Sequence, residues 1–370
     1  MIATPIHFID PNKDKAKFFS TLRQRVDAYF KENKISKHCN SAMIVKTVAL
    51  MGMYLLPFVA VLIFTMPSWL NLVLWSIMGF GLAGVGMSIM HDACHGAYSS
   101  SHKVNQILGY SLNMIGGTVF NWKLQHNLLH HTYTNIATHD QDIKDKVILR
   151  FSPHTEVKWY HRLQVSYAIL FYGLTTIYWL LLKDFTQFAD FKKKGLVKQH
   201  KRETRMLLAK MIACKVVYCF VFVAMPILFF NVSAGRVFSG FLLMHFIAGV
   251  TLTVIFQLAH TVEGTTHPLP VNGTIENNWA IHQMNTTVNF SRDNKIISWY
   301  VGGLNYQVEH HLFPTICHVH YPQISHIVKA TAEEFGIPYL ENKTFGRAIG
   351  SHINTMIRFG KLPDLNEVLA

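Results

Sequence analysis

The sequence predicts an all-α polytopic membrane protein, with four transmembrane helices in two hairpins and a helical cap on the cytoplasmic side. Three observations predict this class: the composition, four long apolar stretches, and the distribution of positive charge. Half of the 370 residues are hydrophobic and only 15% are charged, whereas a soluble domain carries roughly 25% charged residues. This composition excludes a disordered chain and a small disulfide scaffold, and it argues against an ordinary soluble enzyme.

The four apolar stretches lie at about residues 43–66, 69–90, 213–230 and 237–259, and each is long enough to cross a bilayer. Two short connectors, Pro67-Ser68 and residues 231–236, join them into two hairpins. We therefore divide the chain into a basic N-terminal segment (1–40), a membrane domain (41–325) and a C-terminal tail (326–370).

Positive charge predicts the orientation. Lysine and arginine concentrate in residues 1–40 and 91–212, whereas the two connectors contain only Arg236. Loops rich in these residues stay in the cytoplasm, so we expect both termini and the 91–212 segment to be cytoplasmic. The net charge of +13 then indicates contact with anionic lipid, not with nucleic acid. The basic residues of the first segment are Lys13, Lys15, Lys17, Arg23, Arg25, Lys31, Lys34 and Lys37.

Two further apolar stretches, residues 106–120 and 165–182, are ambiguous, and the second is long enough to span. Either one crossing alone would leave the histidine clusters described below on opposite sides of the membrane. If both stretches crossed, the second histidine cluster would lie on the opposite side of the membrane from the first. We therefore interpret both stretches as buried, re-entrant or interfacial helices.

A glycine pattern within the second span fits the dinucleotide-binding fingerprint, but its context does not. Gly79, Gly81 and Gly84 have the GxGxxG spacing inside an apolar run, with no preceding strand. Small residues that let membrane helices pack closely explain the pattern better.

Two histidine clusters follow the second span. His91 and His95 are four residues apart, which places both imidazoles on one face if the helix continues. His126 and His130 repeat this spacing, and His131 adds a third imidazole that would point about 100° away on an α-helix. Both pairs are candidate ligands of one metal site.

The third cluster comes after the last span. His310 and His311 lie three and four residues after Gln307, again on one helical face. His260 closes the fourth span at the predicted cytoplasmic end. All four groups are thus expected on one side of the membrane.

The number of histidines limits how many metal ions the site holds and which elements they are. Eight imidazoles exceed what one ion takes, because a zinc site has about four ligands, so they imply two metals with positions left open for oxygen or substrate. Nitrogen ligation with open positions suits iron, copper, nickel or zinc, whereas calcium and magnesium prefer oxygen. The motifs HExxH, GxSxG and the P-loop pattern are absent from the sequence.

These residues resemble the three histidine boxes of the integral-membrane fatty acid desaturases, over roughly residues 40–325. The segment from Asn305 to Pro314 is especially similar to the front-end branch, in which glutamine replaces the first histidine of the third box. That branch desaturates between an existing double bond and the carboxyl end. The motifs are His91-x3-His95, His126-x3-His130-His131 and Gln307-x2-His310-His311.

The resemblance implies two non-haem iron ions, O2 as co-substrate and an acyl chain in a kinked internal tunnel. By position, all seven box histidines would be ligands, and His260 matches a histidine that family members carry at the end of the fourth span. Gln307 would lie beside the metal, and His282, in a family-like stretch, is a further candidate ligand. The substrate would be an acyl-CoA, an acyl-carrier protein or an acyl lipid.

The N-terminal 40 residues lack the His-Pro-Gly-Gly motif of a fused cytochrome b5 domain. Electrons are therefore expected from a separate donor, a ferredoxin or a free cytochrome b5. The small chain without this fused domain also fits a bacterial enzyme of the resembling family, in the inner membrane. A basic run is expected to lie against anionic lipid, with docking of an acidic donor as the alternative. The run comprises Lys192, Lys193, Lys194, Lys198, Lys201, Arg202 and Arg205.

Metal-bound histidines need acceptors for their second nitrogen. Nearby carboxylates are candidates for that role, and residues flanking the boxes are candidates for the tunnel wall, with simple packing as the alternative. The candidate carboxylates are Asp92, Asp140, Asp142, Glu263 and Glu309. The candidate tunnel residues are Trp122, Asn127, Asn305 and Tyr306.

Two other functions remain open at this point. The same centre could hydroxylate an acyl chain or a sphingolipid, or oxidise a carotenoid, and the product mass would distinguish these reactions. A membrane zinc hydrolase of the receptor-like kind is an alternative from another class. That alternative needs ligands within the spans, whereas these clusters lie at span ends.

Overall fold

The computed structural model describes residues 6–10, 15–137, 139–143, 148–197, 200–363 and 365. Lys13 and Lys198, two of the charges used above, lie outside this set. Five helices of the described chain are long and apolar enough to cross a membrane. They are α2 (Ser41–Ile63), α3 (Ser68–His95), α7 (Trp159–Lys193), α8 (Lys201–Phe230) and α9 (Ala234–His260). Four of them contain the predicted spans, and the fifth, α7, contains the ambiguous stretch 165–182.

The remaining helices are shorter, and together with the loops between them they form the region called the cap below. They are α1 (Phe18–Glu32), α4 (His102–Gly109), α5 (Ser111–Met114), α6 (consecutive segments Val119–Trp122, Lys123–His130 and His131–Tyr133), α10 (Trp279–Thr286), α11 (Lys295–Tyr300), α12 (Gln307–Leu312), α13 (Tyr321–Glu334, preceded by a 3-10 turn at His318–His320) and α14 (Phe345–Lys361). Four two-residue strands form two parallel pairs, β1 (His7–Phe8) with β2 (Thr274–Ile275) and β3 (Asn289–Phe290) with β4 (Glu341–Asn342).

The glycines of the second span bring helices into close contact. A Cβ atom on Gly79 would lie 2.7 Å from the carbonyl oxygen of Met244 on α9, and one on Gly81 would lie 2.6 Å from the backbone nitrogen of Tyr54 on α2. Neither position has room for a side chain. The helix-packing interpretation of this pattern is confirmed.

Helix α7 contacts the cap at both ends. Near its start, Gln164 donates a hydrogen bond to the carbonyl of Met356 on α14 (2.6 Å). Near its end, Asn121 of α6 donates to the Asp184 carbonyl (2.7 Å). Between these points, Thr176 donates to the carbonyl of His245 within α9 (2.8 Å). The middle of α7 therefore packs against a span while both ends lie beside cap segments.

The cap has its own hydrophobic core. Helices α1 and α13 pack together, and the side chains of Phe18, Leu22 and Val26 are fully buried against the cap. The boundary drawn at residue 325 falls inside α13, and the C-terminal α14 packs on α7 and α9. The C-terminal segment is thus integrated into the fold as far as residue 363.

Candidate metal centre

The first box lies at the C-terminal end of α3. A π-helical segment, Val85–Met90, continues directly into the short α-helical turn His91–His95. The rings of His91 and His95 lie 4.7 Å apart between centroids. Gly96, with φ of 75°, ends the helix after the second histidine. The expected helical spacing of this pair is confirmed.

The second box differs from the expected α-helix because Lys123–His130 is π-helical. The wider turn of a π-helix brings residue i+5 back toward residue i. The Nε2 atoms of His126 and His131 consequently lie 3.3 Å apart, and the rings of His126 and His130 stack at 5.1 Å. The expectation that His131 points away from its neighbours is therefore wrong.

The third box and His260 complete the cluster. His310 and His311 lie on α12, and His260 is the last residue of α9. The ring of His310 lies 4.5 Å from that of His91, and the ring of His311 lies 5.0 Å from that of His260. Residues from four separate stretches of the chain thus converge, although most are far apart in sequence.

Seven of the eight histidines form two adjoining groups, and within each group the candidate ligand atoms lie within 4.8 Å of one another. His131 forms a further set of this kind with His310 and His311, which come one from each group. His131 contacts both groups, because its ring lies 4.7 Å from His95 and 4.4 Å from His311. One group is His91, His95, His126 and His310, and the other is His130, His260 and His311. A nitrogen binds a transition metal at about 2.1 Å, so each group is compact enough to surround one ion.

Unpartnered nitrogens test whether the cluster fits metal ions. The Nε2 atoms of His95, His130, His260, His310 and His311 are buried and have no hydrogen-bond partner. Buried polar atoms are nearly always partnered in folded proteins. Several such lone pairs facing one another are what two histidine-ligated metals require, and the donor set suits iron.

The opposite nitrogens of these rings have partners. Nδ1 of His130 lies 3.0 Å from the Asp140 carboxylate, and Nδ1 of His311 lies 2.9 Å from the amide oxygen of Gln283. Nδ1 of His260 lies 3.3 Å from the carbonyl of Thr286. Such acceptors fix the ring orientation and leave Nε2 free for a metal.

Burial and neighbouring charge set the protonation of the cluster. Burial lowers the pKa of His126 to about 3 and also lowers the pKa of His131, His310 and His311, with the neighbouring imidazoles adding to the effect. Burial opposes the charged form of His130 too, but the nearby Asp140 outweighs it and raises the pKa of that ring. Neutral imidazoles are the ligand form.

A cavity of about 170 Å³ adjoins the cluster and extends between helices α3, α7 and α9. Trp122 and Gln307 line it beside His91 and His126. Gln307 is buried one turn before the paired histidines of α12. The part of the cavity away from the histidines is lined by apolar side chains, which include Met87, Met90, Ile115, Leu252 and Phe256.

Three other predicted tunnel residues do not line this cavity. Asn127 donates to the Cys94 carbonyl (2.9 Å), Asn305 donates to the Ser298 hydroxyl (2.8 Å), and the Tyr306 hydroxyl donates to the Arg292 carbonyl (2.8 Å). Their side chains hold neighbouring backbone and loops in place. Proximity in sequence to a box was therefore a poor guide to the cavity wall.

Of the predicted carboxylates, some lie beside cluster histidines and others hydrogen-bond to different residues. Asp140 holds His130, and Asp142 lies 3.9 Å from Nδ1 of His126. Asp92 lies 3.9 Å from Nδ1 of His91 but hydrogen-bonds His318 instead (2.8 Å).

The three other candidates for the metal site, Glu309, Glu263 and His282, do not belong to the two histidine groups. Glu309 is buried, but it accepts hydrogen bonds from Asn289 and Tyr339 (2.7 Å each). Glu263 is exposed, so the structure does not bring its side chain to the buried cluster. His282 is buried with an unpartnered Nε2, but it belongs to neither group.

Sequence reasoning missed several residues that hold the histidines. Gln283 and Thr134 both lie near Nδ1 of His311, and the Tyr321 hydroxyl lies 3.2 Å from Nδ1 of His310. Gln283 directly follows the candidate His282 in the chain. No spacing motif connects these residues to the boxes, because they reach the cluster through the tertiary fold.

Comparison with known proteins matches this chain to a family model and to several curated proteins, and all of them are described as desaturases. The family model for fatty acid desaturases matches residues 67–343. A sn-1 linoleoyl-lipid 6-desaturase from Arthrospira platensis is 35% identical over 95% of this chain and 95% of its own length. The Synechocystis sp. protein of the same description is also 35% identical, over 94% and 96%. An acyl-lipid (8-3)-desaturase from Physcomitrium patens is 34% identical over 93% of this chain and 72% of its own length.

Proposed function

This chain belongs to the fatty acid desaturase family, and we propose that it inserts a cis double bond into an acyl chain carried by a membrane lipid, on the carboxyl side of an existing double bond. It is an oxidoreductase that acts on fatty acyl chains. The carrier and the position of the new double bond belong to the proposal, because they rest on the activities named for relatives.

One observation carries the proposal: two groups of buried histidines converge with five unpartnered Nε2 atoms, and His91 and His126 of one group line a largely apolar cavity. Removing hydrogen from two adjacent methylenes offers no acidic proton and no leaving group. Acid–base side chains alone therefore cannot perform the reaction, and a redox-active metal must supply the chemistry.

We assign two iron ions to the two groups, with O2 as co-substrate. The first would be held by His91, His95, His126 and His310, the second by His130, His260 and His311, with His131 between them. When bound, iron would activate O2 and allow the removal of two hydrogens from the acyl chain. Zinc does not suit the reaction because it has no redox chemistry.

The chain's own residues orient the site and keep it dry. Asp140 and Gln283 hold His130 and His311 by Nδ1, so that Nε2 points inward. Trp122 stacks on His126 with 4.5 Å between ring centroids and closes one side of the cavity. The acyl chain would lie against Met87 and Leu252, with the reacting carbons at the histidine end.

We further propose that α2, α3, α8 and α9 cross the membrane and that α7 does not. The contacts of both α7 ends with cap segments support this topology. It keeps the eight histidines of the cluster, and both termini, on the cytoplasmic side that the positive charges predict. A separate electron donor would approach from that side.

The proposal is tested by expressing the chain in a bacterial host that makes no polyunsaturated lipid and supplying linoleate. Lipids are then analysed for the position of new double bonds and for the glycerol carbon that bears the product. We expect a new double bond between the carboxyl group and the existing bonds, found in intact glycerolipids. The variant His130→Ala, expressed at the same level, serves as the inactive control.

Two results would count against the proposal. A hydroxylated product, heavier by one oxygen, would assign the other chemistry to the same centre. If, after a short labelling period, products were found only in the acyl-CoA pool, the substrate would be an acyl thioester and not an acyl lipid.

A further inference from the structure

A basic face stands at the junction of α7 and α8. Lys192 and Lys193 are exposed at the end of α7, and Lys201, Arg202 and Arg205 are exposed on the first two turns of α8. Two acidic residues lie in the same region: Asp190 pairs with Lys194 (2.9 Å), and Glu203 is exposed in the first turn of α8. The described part of this junction therefore carries a clear excess of positive charge.

The height of this face above the membrane argues against lipid as its main partner. The apolar part of α8 begins near residue 213, so Arg205 and Lys201 lie about 12 and 18 Å further along the helix axis. The headgroup layer is only about 5–8 Å thick on each side. If α8 crosses the membrane as proposed, these side chains stand in water, where a soluble protein can reach them.

A continuous series of side-chain contacts leads from this face into the protein. Asp190, the partner of Lys194, accepts a hydrogen bond from the Gln141 amide (2.7 Å). The Gln187 amide in turn donates to the side-chain oxygen of Gln141 (3.2 Å). These contacts connect the end of α7 with the loop that follows the second histidine box.

The series continues to the metal centre. The Gln187 amide also donates to the side-chain oxygen of Gln125 (2.7 Å), and the Gln125 amide donates to Asp142. The Asp142 carboxylate lies 3.9 Å from Nδ1 of His126 and 3.9 Å from Nδ1 of His130. The path therefore ends on one histidine of each group.

We propose that this basic face is the docking site of an acidic, one-electron carrier protein, and that electrons enter the metal centre from the side of His126 and His130. The inference rests on the proposed function. Each double bond consumes one O2, two hydrogens from the acyl chain, two external electrons and two protons, and it yields two water molecules. Two encounters are needed per turnover, and the carrier is oxidised by one electron in each.

The test compares two variants that remove equal charge. The face variant replaces Lys192, Lys193, Lys201 and Arg202 with glutamine. The control variant replaces Lys17, Arg23, Lys31 and Lys34, which are exposed on or beside α1. Each protein is placed in nanodiscs of phosphatidylcholine alone, which contain no anionic lipid, and in parallel in nanodiscs that also contain phosphatidylglycerol. The probe is a [2Fe–2S] ferredoxin, and its binding is measured by calorimetry in addition to desaturation.

We expect the face variant to raise the Kd and the KM for ferredoxin by at least about tenfold, because steering by opposite charge is lost. Product formed in a single turnover, after anaerobic reduction with stoichiometric dithionite and then addition of O2, should change by less than about twofold, and so should kcat at saturating ferredoxin. The control variant should bind ferredoxin like wild type. Raising the ionic strength to about 1 M, where the screening length is about 3 Å, should bring wild type to the level of the face variant.

Three results would overturn the inference: unchanged ferredoxin binding in the face variant, equal weakening in both variants, or weakening that occurs only when phosphatidylglycerol is present. The last result would assign the face to anionic lipid. Failure of the proposed function is distinguishable from these results, because wild type would then form no double bond even with dithionite, whatever its affinity for ferredoxin.

Discussion

Two buried regions at the end of α3 bring metal-binding side chains together, but only one keeps its lone pairs free. In the histidine cluster, five Nε2 atoms have no hydrogen-bond partner. In the second region, the candidate ligand atoms of Asp92, Cys317 and His318 also lie within 4.8 Å of one another. There, His318 and the Cys317 thiol donate to Asp92 (2.8 and 3.0 Å), and Nε2 of His318 lies 2.8 Å from Lys46 Nζ.

The difference teaches that proximity and burial do not identify a metal site. Other buried histidines make the same point, because His245 contacts Tyr218 (2.9 Å) and Thr176 (3.1 Å) through its two ring nitrogens. His352 likewise contacts Tyr172 and the Thr261 carbonyl (2.8 Å each). An imidazole whose two nitrogens are both satisfied stabilises the fold, whereas converging unpartnered nitrogens indicate metal ligation.

The largest effect is expected for His130→Ala. The substitution removes a ligand from the group that contains His260 and His311, and it leaves Asp140 buried without its partner. We expect desaturation to be abolished and bound iron to fall from about two to about one ion per chain or fewer. Iron is measured by elemental mass spectrometry on the purified protein. Wild-type activity in this variant would remove the second box from the site.

Asp140→Asn should have the next largest effect. The carboxylate is fully buried and lies 3.0 Å from Nδ1 of His130. Its replacement keeps the shape but removes the charge that orients the ligand, so iron affinity should fall about 10- to 100-fold. Titration of the apoprotein with ferrous iron measures the change. An unchanged affinity for iron would mean that Asp140 only stabilises the loop after the second box, where it accepts a hydrogen bond from the Asn135 backbone N–H (3.0 Å).

Gln283→Leu should weaken iron binding less than Asp140→Asn. Gln283 offers a neutral acceptor to His311 at 2.9 Å, and Thr134 lies 3.3 Å from the same nitrogen and remains available. A neutral hydrogen bond is worth roughly half of a charge-assisted one, so the loss should stay below about tenfold. The same iron titration measures it, and a loss larger than that of Asp140→Asn would reverse this ranking.

His318→Gln should leave the iron content unchanged while lowering stability. It breaks the contacts with Asp92 and Lys46, which are both buried, and leaving such groups partly unsatisfied costs about 1–3 kcal/mol each. We expect a lower Tm in detergent with about two irons per chain retained. Loss of iron at an unchanged Tm would place the second region in the metal site.

The long apolar helices and the helical spacing of the first box could be predicted from the sequence, because both depend on local patterns. Apolar length predicts spans, and the four-residue spacing of His91 and His95 predicts one helical face, as found. The π-helical turn of the second box could not be predicted, since the Lys123–His130 sequence has no mark that separates it from an α-helix.

The surroundings of the boxes were less predictable. Glu263 and Asn305 were candidates because of their position in the chain, but their side chains lie elsewhere. Gln283 and Lys46 reach their histidine partners from 28 and 272 residues away, and such contacts depend on tertiary packing that no spacing rule encodes.

The most direct test of the central claim is X-ray absorption at the iron edge of the purified wild-type protein, combined with its iron content. The histidine cluster predicts about two irons per chain and a ligand shell of nitrogen and oxygen without sulfur. A sulfur ligand would point to Cys317 and the second region, and together with a single iron per chain it would contradict the assignment of two ions to the eight histidines.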